Sequence, residues 1–286
     1  MLNLRVFAGL STLRLTLFTL ALAGAVSVAS AADSANDAEI AWRTQMVAAV
    51  GAVGQKNLPK AEELFQKASQ AADRFQPGDP RSGTTLNNLG LVYKEEKKYA
   101  EAEKVFEKAL PILEKAYGTN SIDVGNVSFN VASVMIAQGH FEGALPYILK
   151  SQIVYEKTVG TESLKTAATL CMAGEVYSSQ KNYKLAEPAL KECADLREAA
   201  GGVENSELAD ALYSLGLVYE HQGKYAQADV RLKLAEKIRE LTLGVTSPEF
   251  ATALEAHAAL LKMMGRDKDA SRDEGLATAI RRIERK

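Results

Sequence analysis

Three histidines and two cysteines are the residues from which catalysis or metal binding would have to start. His140, His221 and His257 are widely separated, and no pair has metal-ligand spacing together with a matching carboxylate or thiolate. Cys171 and Cys193 are the only cysteines. A bond between them would close a loop of about 20 residues and stabilise by about 3 kcal/mol on the chain-entropy account. Glu175, Asp210 and Glu220 are scattered carboxylates, and such groups are ordinarily solvated. No phosphate-binding glycine loop appears, since every glycine has a role in the pattern described next. The expectation is a protein without catalytic, cofactor or metal residues.

The elements that would position any site recur every 42 residues. One column holds Gly90, Ala132, Gly174, Gly216 and Ala258. A second holds Ala102, Ala144, Ala186, Ala228 and Ala270, and a third holds Ala109, Ser151, Cys193, Ala235 and Ala277. Small residues at fixed places mark close approach of two helices, where a larger side chain would hold them apart. Large residues alternate with them: Tyr93, Met135, Tyr177 and Tyr219, then Phe106, Ile148, Leu190 and Leu232. Cys193 lies in a small-residue column, which favours a packed thiol.

Punctuation repeats as well. Gly118, Gly160, Gly202 and Gly244 follow apolar runs and fit left-handed C-terminal caps. Asp79, Ser121, Ser163, Asn205 and Ser247 are good N-caps. Pro80 and Pro248 follow at the first helical position, where proline is tolerated. Each row therefore holds two helices, the first pair over about 80–96 and 99–117. Ala102, Val105, Phe106, Ala109 and Leu113 form an apolar stripe at helical spacing. Pro111 is expected to kink its helix. A helical pair cannot bury such a stripe alone, so the rows must stack. The expected rows are 38–78, 79–120, 121–162, 163–204, 205–246 and 247–283. The last is degraded, with Glu274 and Asp267 at large apolar positions, as an end cap requires.

The charge balance is close to neutral, at −2, with no basic stripe, which argues against nucleic acid. Residues 1–31 differ from the rest. Arg5 and Arg14 precede an apolar run from Leu15 to Val28, and Ala29-Ser30-Ala31 forms a small-x-small site. This is the pattern of a secretory signal peptide cleaved after Ala31. A short flexible linker is expected over 32–37. The run is too short for an ordinary membrane span, so no stable insertion is expected after cleavage. The leader suggests a bacterial periplasmic or secreted protein, an oxidising address that invites a disulfide.

The columns resemble the tetratricopeptide repeat family. Leu86, Leu89, Gly90, Tyr93, Ala102, Phe106 and Ala109 carry its series, and Leu212, Leu215, Gly216, Tyr219, Ala228, Leu232 and Ala235 repeat it. The 42-residue spacing resembles the kinesin-light-chain-like subgroup. The resemblance covers about residues 38–283. It implies an all-α solenoid of helical hairpins, a right-handed superhelix of about six repeats, with first helices lining a concave groove. It also implies binding of peptides or partner proteins there.

Groove positions implied by the resemblance are Thr84, Asn87, Asn88 and Leu91, then Asn126, Phe129, Asn130 and Ser133, then Glu175, and then Asp210, Tyr213 and Leu217. Asn88 and Asn130 fall where the subgroup carries a backbone-holding asparagine, but Met172, Ser214 and Ala256 break that column. No basic residue occupies the columns that would clamp a C-terminal carboxylate. Cys171 is expected to turn toward the groove, away from Cys193, although a disulfide stays open. The leading expectation is an exported scaffold for an extended protein segment. The alternative is a structural subunit of an envelope or secretion complex, using the convex face or the ends.

Overall fold

The computed structural model describes residues 31–201 and 205–284. The leader expected over 1–31 lies outside them except for Ala31, as do Gly202, Arg285 and Lys286. The described residues form twelve helices and no strand. They run in order as α1 (Ala31–Gly54), α2 (Leu58–Ala72), α3 (Pro80–Glu95), α4 (Tyr99–Tyr117), α5 (Ile122–Ala137) and α6 (Phe141–Val159). The series continues with α7 (Leu164–Ser179), α8 (Tyr183–Gly201), α9 (Ser206–His221), α10 (Tyr225–Leu243), α11 (Pro248–Met263) and α12 (Asp267–Glu284). Residues 32–37 are helical, as the first turns of α1, and not the linker expected from composition. No helix among the described residues is long and apolar enough to cross a membrane.

The helices pair as consecutive hairpins, and contacts group them into two compact units, one through Thr158 and one from Val159. In the first unit α2 packs on α3 and α4 on α5; in the second α8 packs on α9 and α10 on α11. First helices of successive hairpins also touch: α3 with α5, α7 with α9, and α9 with α11. They form the inner layer of each unit.

The repeated columns act as their spacing predicts. A Cβ added at Gly90 would lie 2.5 Å from the Phe106 ring, and one at Gly216 would lie 2.7 Å from Leu232. The small residue thus admits the large residue of its own hairpin. Ala102, Ala144, Ala186, Ala228 and Ala270 are fully buried. All five predicted N-caps accept hydrogen bonds from backbone N–H groups of their helices. Helix α4 runs continuously through Pro111.

One detail departs from expectation. Gly118 and Gly244 have positive φ, but their ψ values are 156° and 160°. That is the extended mirror region open only to glycine, and not the left-handed helical cap. The helix therefore ends by turning straight out toward the next N-cap. The tight turns inside hairpins use positive φ at Lys97, Gly139, Lys181, Gly223 and Gly265.

Candidate binding face

In the first unit, Thr84 bonds the Pro80 carbonyl of its own helix at 3.0 Å. The Asn130 side-chain amide donates to Asn87 Oδ1 at 3.0 Å, linking α5 to α3 across the inner layer. Asn88 and Asn130 are each only 8% exposed. Tyr155, from α6, donates its hydroxyl to Asn126 Oδ1 at 3.1 Å. Its ring lies 6.3 Å from that of Phe129, and burial raises its phenol. Leu91 packs against the hydrophobic cluster around α4 and α5, and Ser133 is half-buried. The face is thus polar and aromatic, and it is held by bonds between its own residues.

In the second unit, Asp210 of α9 accepts a hydrogen bond from Arg239 Nη2 of α10 at 2.8 Å. Arg239 also donates to the Glu249 carbonyl, and its guanidinium carbon sits 4.5 Å from the Tyr213 ring centroid. One buried cation therefore ties α10 to α9 and α11. Leu217 packs into the cluster below. Arg197 of α8 pairs with Glu207 of α9. Glu175 of α7 is half-buried, and desolvation with the Asp210 charge pushes its carboxyl up to about 7. Burial also raises Asp210, against the pull of Arg239, and raises Glu220. The carboxylates read as solvated are partly desolvated in the structure.

The cysteines correct another expectation. Cys171 is 2% exposed, faces α8 and not the groove, and forms a disulfide with Cys193. Their Cα atoms are 5.4 Å apart, inside the range a disulfide spans. The Cys171 column holds Phe129 and Tyr213 in neighbouring rows. Both lie at the seam between inner face and hairpin interior, with Phe129 beside Tyr155 and Tyr213 beside Arg239. The larger side chains stay half-buried beside the second helix of their hairpin, while the small Cys171 is covered by it.

Four residues that shape this face were not among the sequence candidates. Tyr155, Arg197, Arg239 and Arg281 share one 42-residue column on the second helices. Tyr155, Arg239 and Arg281 each bond the inner-face residue 29 positions earlier, namely Asn126, Asp210 and Thr252. Ala168 stands where the Arg197 partner would be, and Arg197 turns to Glu207 instead. The sequence signal was available: three arginines at the repeat period, in a column otherwise holding Leu113 and Tyr155.

A family model described as tetratricopeptide repeat matches residues 41–115, 81–151 and 123–199, together more than half of the chain. A clustered mitochondria protein homolog of Aspergillus clavatus is 31% identical over 71 residues, which is 25% of this chain and 6% of that relative. The chain therefore spans a small part of that curated relative's length. Among solved structures, BtubC from P. vanneervenii is 22% identical with a TM-score of 0.62, covering 76% of this chain and 91% of that one. A putative kinesin light chain with nearly identical repeats from Podosopora anserina is 16% identical with a TM-score of 0.59, covering 70% and 95%. These two likenesses concern the fold.

Proposed function

This chain belongs to the tetratricopeptide repeat family, and we propose that it is an exported, non-catalytic scaffold holding an extended partner segment along its inner face. The observation that carries this reading is the division of labour among helices. Packing columns consume the small and large residues at fixed places. The inner face of the first unit instead carries Thr84, Asn87, Asn126, Phe129 and Ser133, and that of the second carries Glu175, Asp210, Tyr213 and Leu217, all half-buried. Asn88 and Asn130 offer only narrow edges beside them. Tyr155 and Arg239 hold this surface in place before a partner arrives, which lowers the ordering cost of binding. Export is supported by the leader pattern and by the Cys171–Cys193 bond, since disulfides persist in oxidising compartments.

Glu175 adds a preference. Asp210 is already paired with Arg239, but a lysine or arginine of the partner beside Glu175 would favour its ionised form, so a basic segment is favoured over an acidic one. The test is a photocrosslinker placed at Ser133 or Leu217 on the inner face and at Lys108 or Lys191 on outer faces. Capture of one defined partner from the inner positions alone supports the reading. Capture from the outer positions alone removes it.

The second reading, a subunit of a larger envelope or secretion assembly, is favoured by Leu149 and Ile153. Both are exposed and one turn apart on α6. Capture from a crosslinker at Leu149 would favour it.

A further inference from the structure

His257 occupies a column that holds Leu89, Val131, Ala173 and Leu215 in the other rows. It is 4% exposed, so an imidazole stands where the pattern calls for an apolar packing residue. Three carboxylates surround it. Asp229 and Glu236 come from α10, two turns apart, and Asp273 comes from α12. His257 Nε2 lies 2.9 Å from Asp229 Oδ1, and Nδ1 lies 3.0 Å from Glu236 Oε2 and 3.2 Å from Asp273 Oδ2.

Two arginines hold the outer oxygens of the two aspartates. Arg266 donates to both oxygens of Asp229, and Arg272 donates to Oδ1 of Asp273. Both arginines are well exposed, so solvent screens their charge. What remains is Oδ2 of Asp273, which accepts no hydrogen bond although the side chain is only 1% exposed. A ring nitrogen carries at most one hydrogen, and Glu236 is the nearer acceptor for it. Native proteins rarely leave such a buried oxygen without a partner, and one explanation is an ion.

The three ligand atoms of Glu236, His257 and Asp273 all lie within 4.8 Å of one another. Metal binding would displace the Nδ1 proton to solvent, and donation from Nε2 to Asp229 would then fix the tautomer and aim the Nδ1 lone pair at the gap between two carboxylates. A carboxylate orienting the far nitrogen of a metal-bound histidine is a recurrent outer-shell arrangement. We infer that Glu236, His257 and Asp273 form a binding site for one divalent transition-metal ion, with Asp229 as the orienting partner. One imidazole nitrogen and two carboxylate oxygens suit zinc, with a water in the fourth position. Magnesium and calcium are disfavoured, because they want six or more oxygen ligands. The ion would join α10, α11 and α12, and so fasten the last hairpin to the one before it. Neither helical spacing nor a motif announces this site, because each ligand comes from a different helix.

The experiment uses the full untagged protein, stripped with a chelator and titrated with Zn²⁺, Co²⁺, Ni²⁺ or Mg²⁺. Bound metal per chain and melting temperature are the two readouts. The expected result is about one transition-metal ion per chain and a saturable rise in melting temperature, with no response to Mg²⁺. In His257→Leu, which restores the residue of Leu89 and Leu215, binding and the rise both disappear while helical content stays. Should that variant lose helical content, Glu236→Gln is used and is expected to weaken binding at least about tenfold. No rise with any of the three transition metals, or a rise that the variants keep undiminished, overturns the assignment.

Discussion

Arg239 reaches across a helix interface to place its guanidinium 2.8 Å from the Asp210 carboxylate and over the face of the Tyr213 ring. Two candidate recognition residues of the inner face are thus set by one residue of the outer layer. Replacing Arg239 with methionine keeps the bulk and removes the charge. Breaking a buried pair costs about 3–5 kcal/mol, and the partial exposure of Asp210 lowers this to about 2 kcal/mol. Urea unfolding should show a loss of that size. A change below about 0.5 kcal/mol would mean that the pair contributes little.

Glu175 makes stability depend on pH. Its carboxyl is raised from 4.5 to about 7. Between those values the folded state holds a proton that the unfolded state has released. Stability therefore falls as pH rises through that window, and the full loss is reached above about 7. The difference between the wild type and Glu175→Gln isolates this group from Asp210 and Glu220, which burial raises in the same direction. The variant should be the more stable at pH 8, by on the order of 2 kcal/mol, and nearly equal at pH 4. Parallel stability–pH curves would refute the desolvation of Glu175.

The disulfide joins residues 22 apart. Thiol titration of the unreduced, unfolded chain should find none, and finding two would remove the bond. Reduction, or the paired replacement of Cys171 and Cys193 by serine, should cost about 3 kcal/mol on the chain-entropy account. Calorimetry with and without reductant measures it. The loss concerns the α7–α8 hairpin, so hydrogen exchange should accelerate there before it does at α10 and α11.

Gly90→Ala tests the packing column directly. Alanine gains about 1 kcal/mol of helix propensity over glycine. Against that, its Cβ would sit 2.5 Å from the Phe106 ring, which must shift. Overpacking of this kind costs about 1–3 kcal/mol. A net loss is expected, and the companion Phe106→Leu should relieve it. A net gain would show that the ring has room to move.

The periodic features of this fold were legible because periodicity reports local structure. Asp79, Ser121, Ser163, Asn205 and Ser247 cap the helices they were expected to cap, since a cap depends on neighbours within three residues. Gly90 and Gly216 face the large residues of their own hairpins. The site was less legible, because its chemistry lies between columns. Asn126 read as a groove position and Asp210 as a solvated carboxylate, yet Tyr155 and Arg239 arrive from the other helix and bond them. Cys171 read as groove-facing because its column neighbours are. That column lies at the seam, and Phe129, Cys171 and Tyr213 all meet a second-helix residue, namely Tyr155, Cys193 and Arg239. His257 was placed in a degraded cap, and its carboxylate neighbours come from α10 and α12, which no spacing rule connects.

Gly118 and Gly244 end their helices in a backbone conformation that no other residue adopts at comparable cost, and each hands the chain to a serine three residues on. These two joints share one geometry. Insertion or removal of a whole 42-residue cassette at such a joint would need no new loop conformation. If the inner face holds a segment as proposed, copy number would set how long that segment is, while point changes at positions such as Glu175 and Asp210 would set which segment is preferred. The two properties can be varied independently, by different kinds of genetic event.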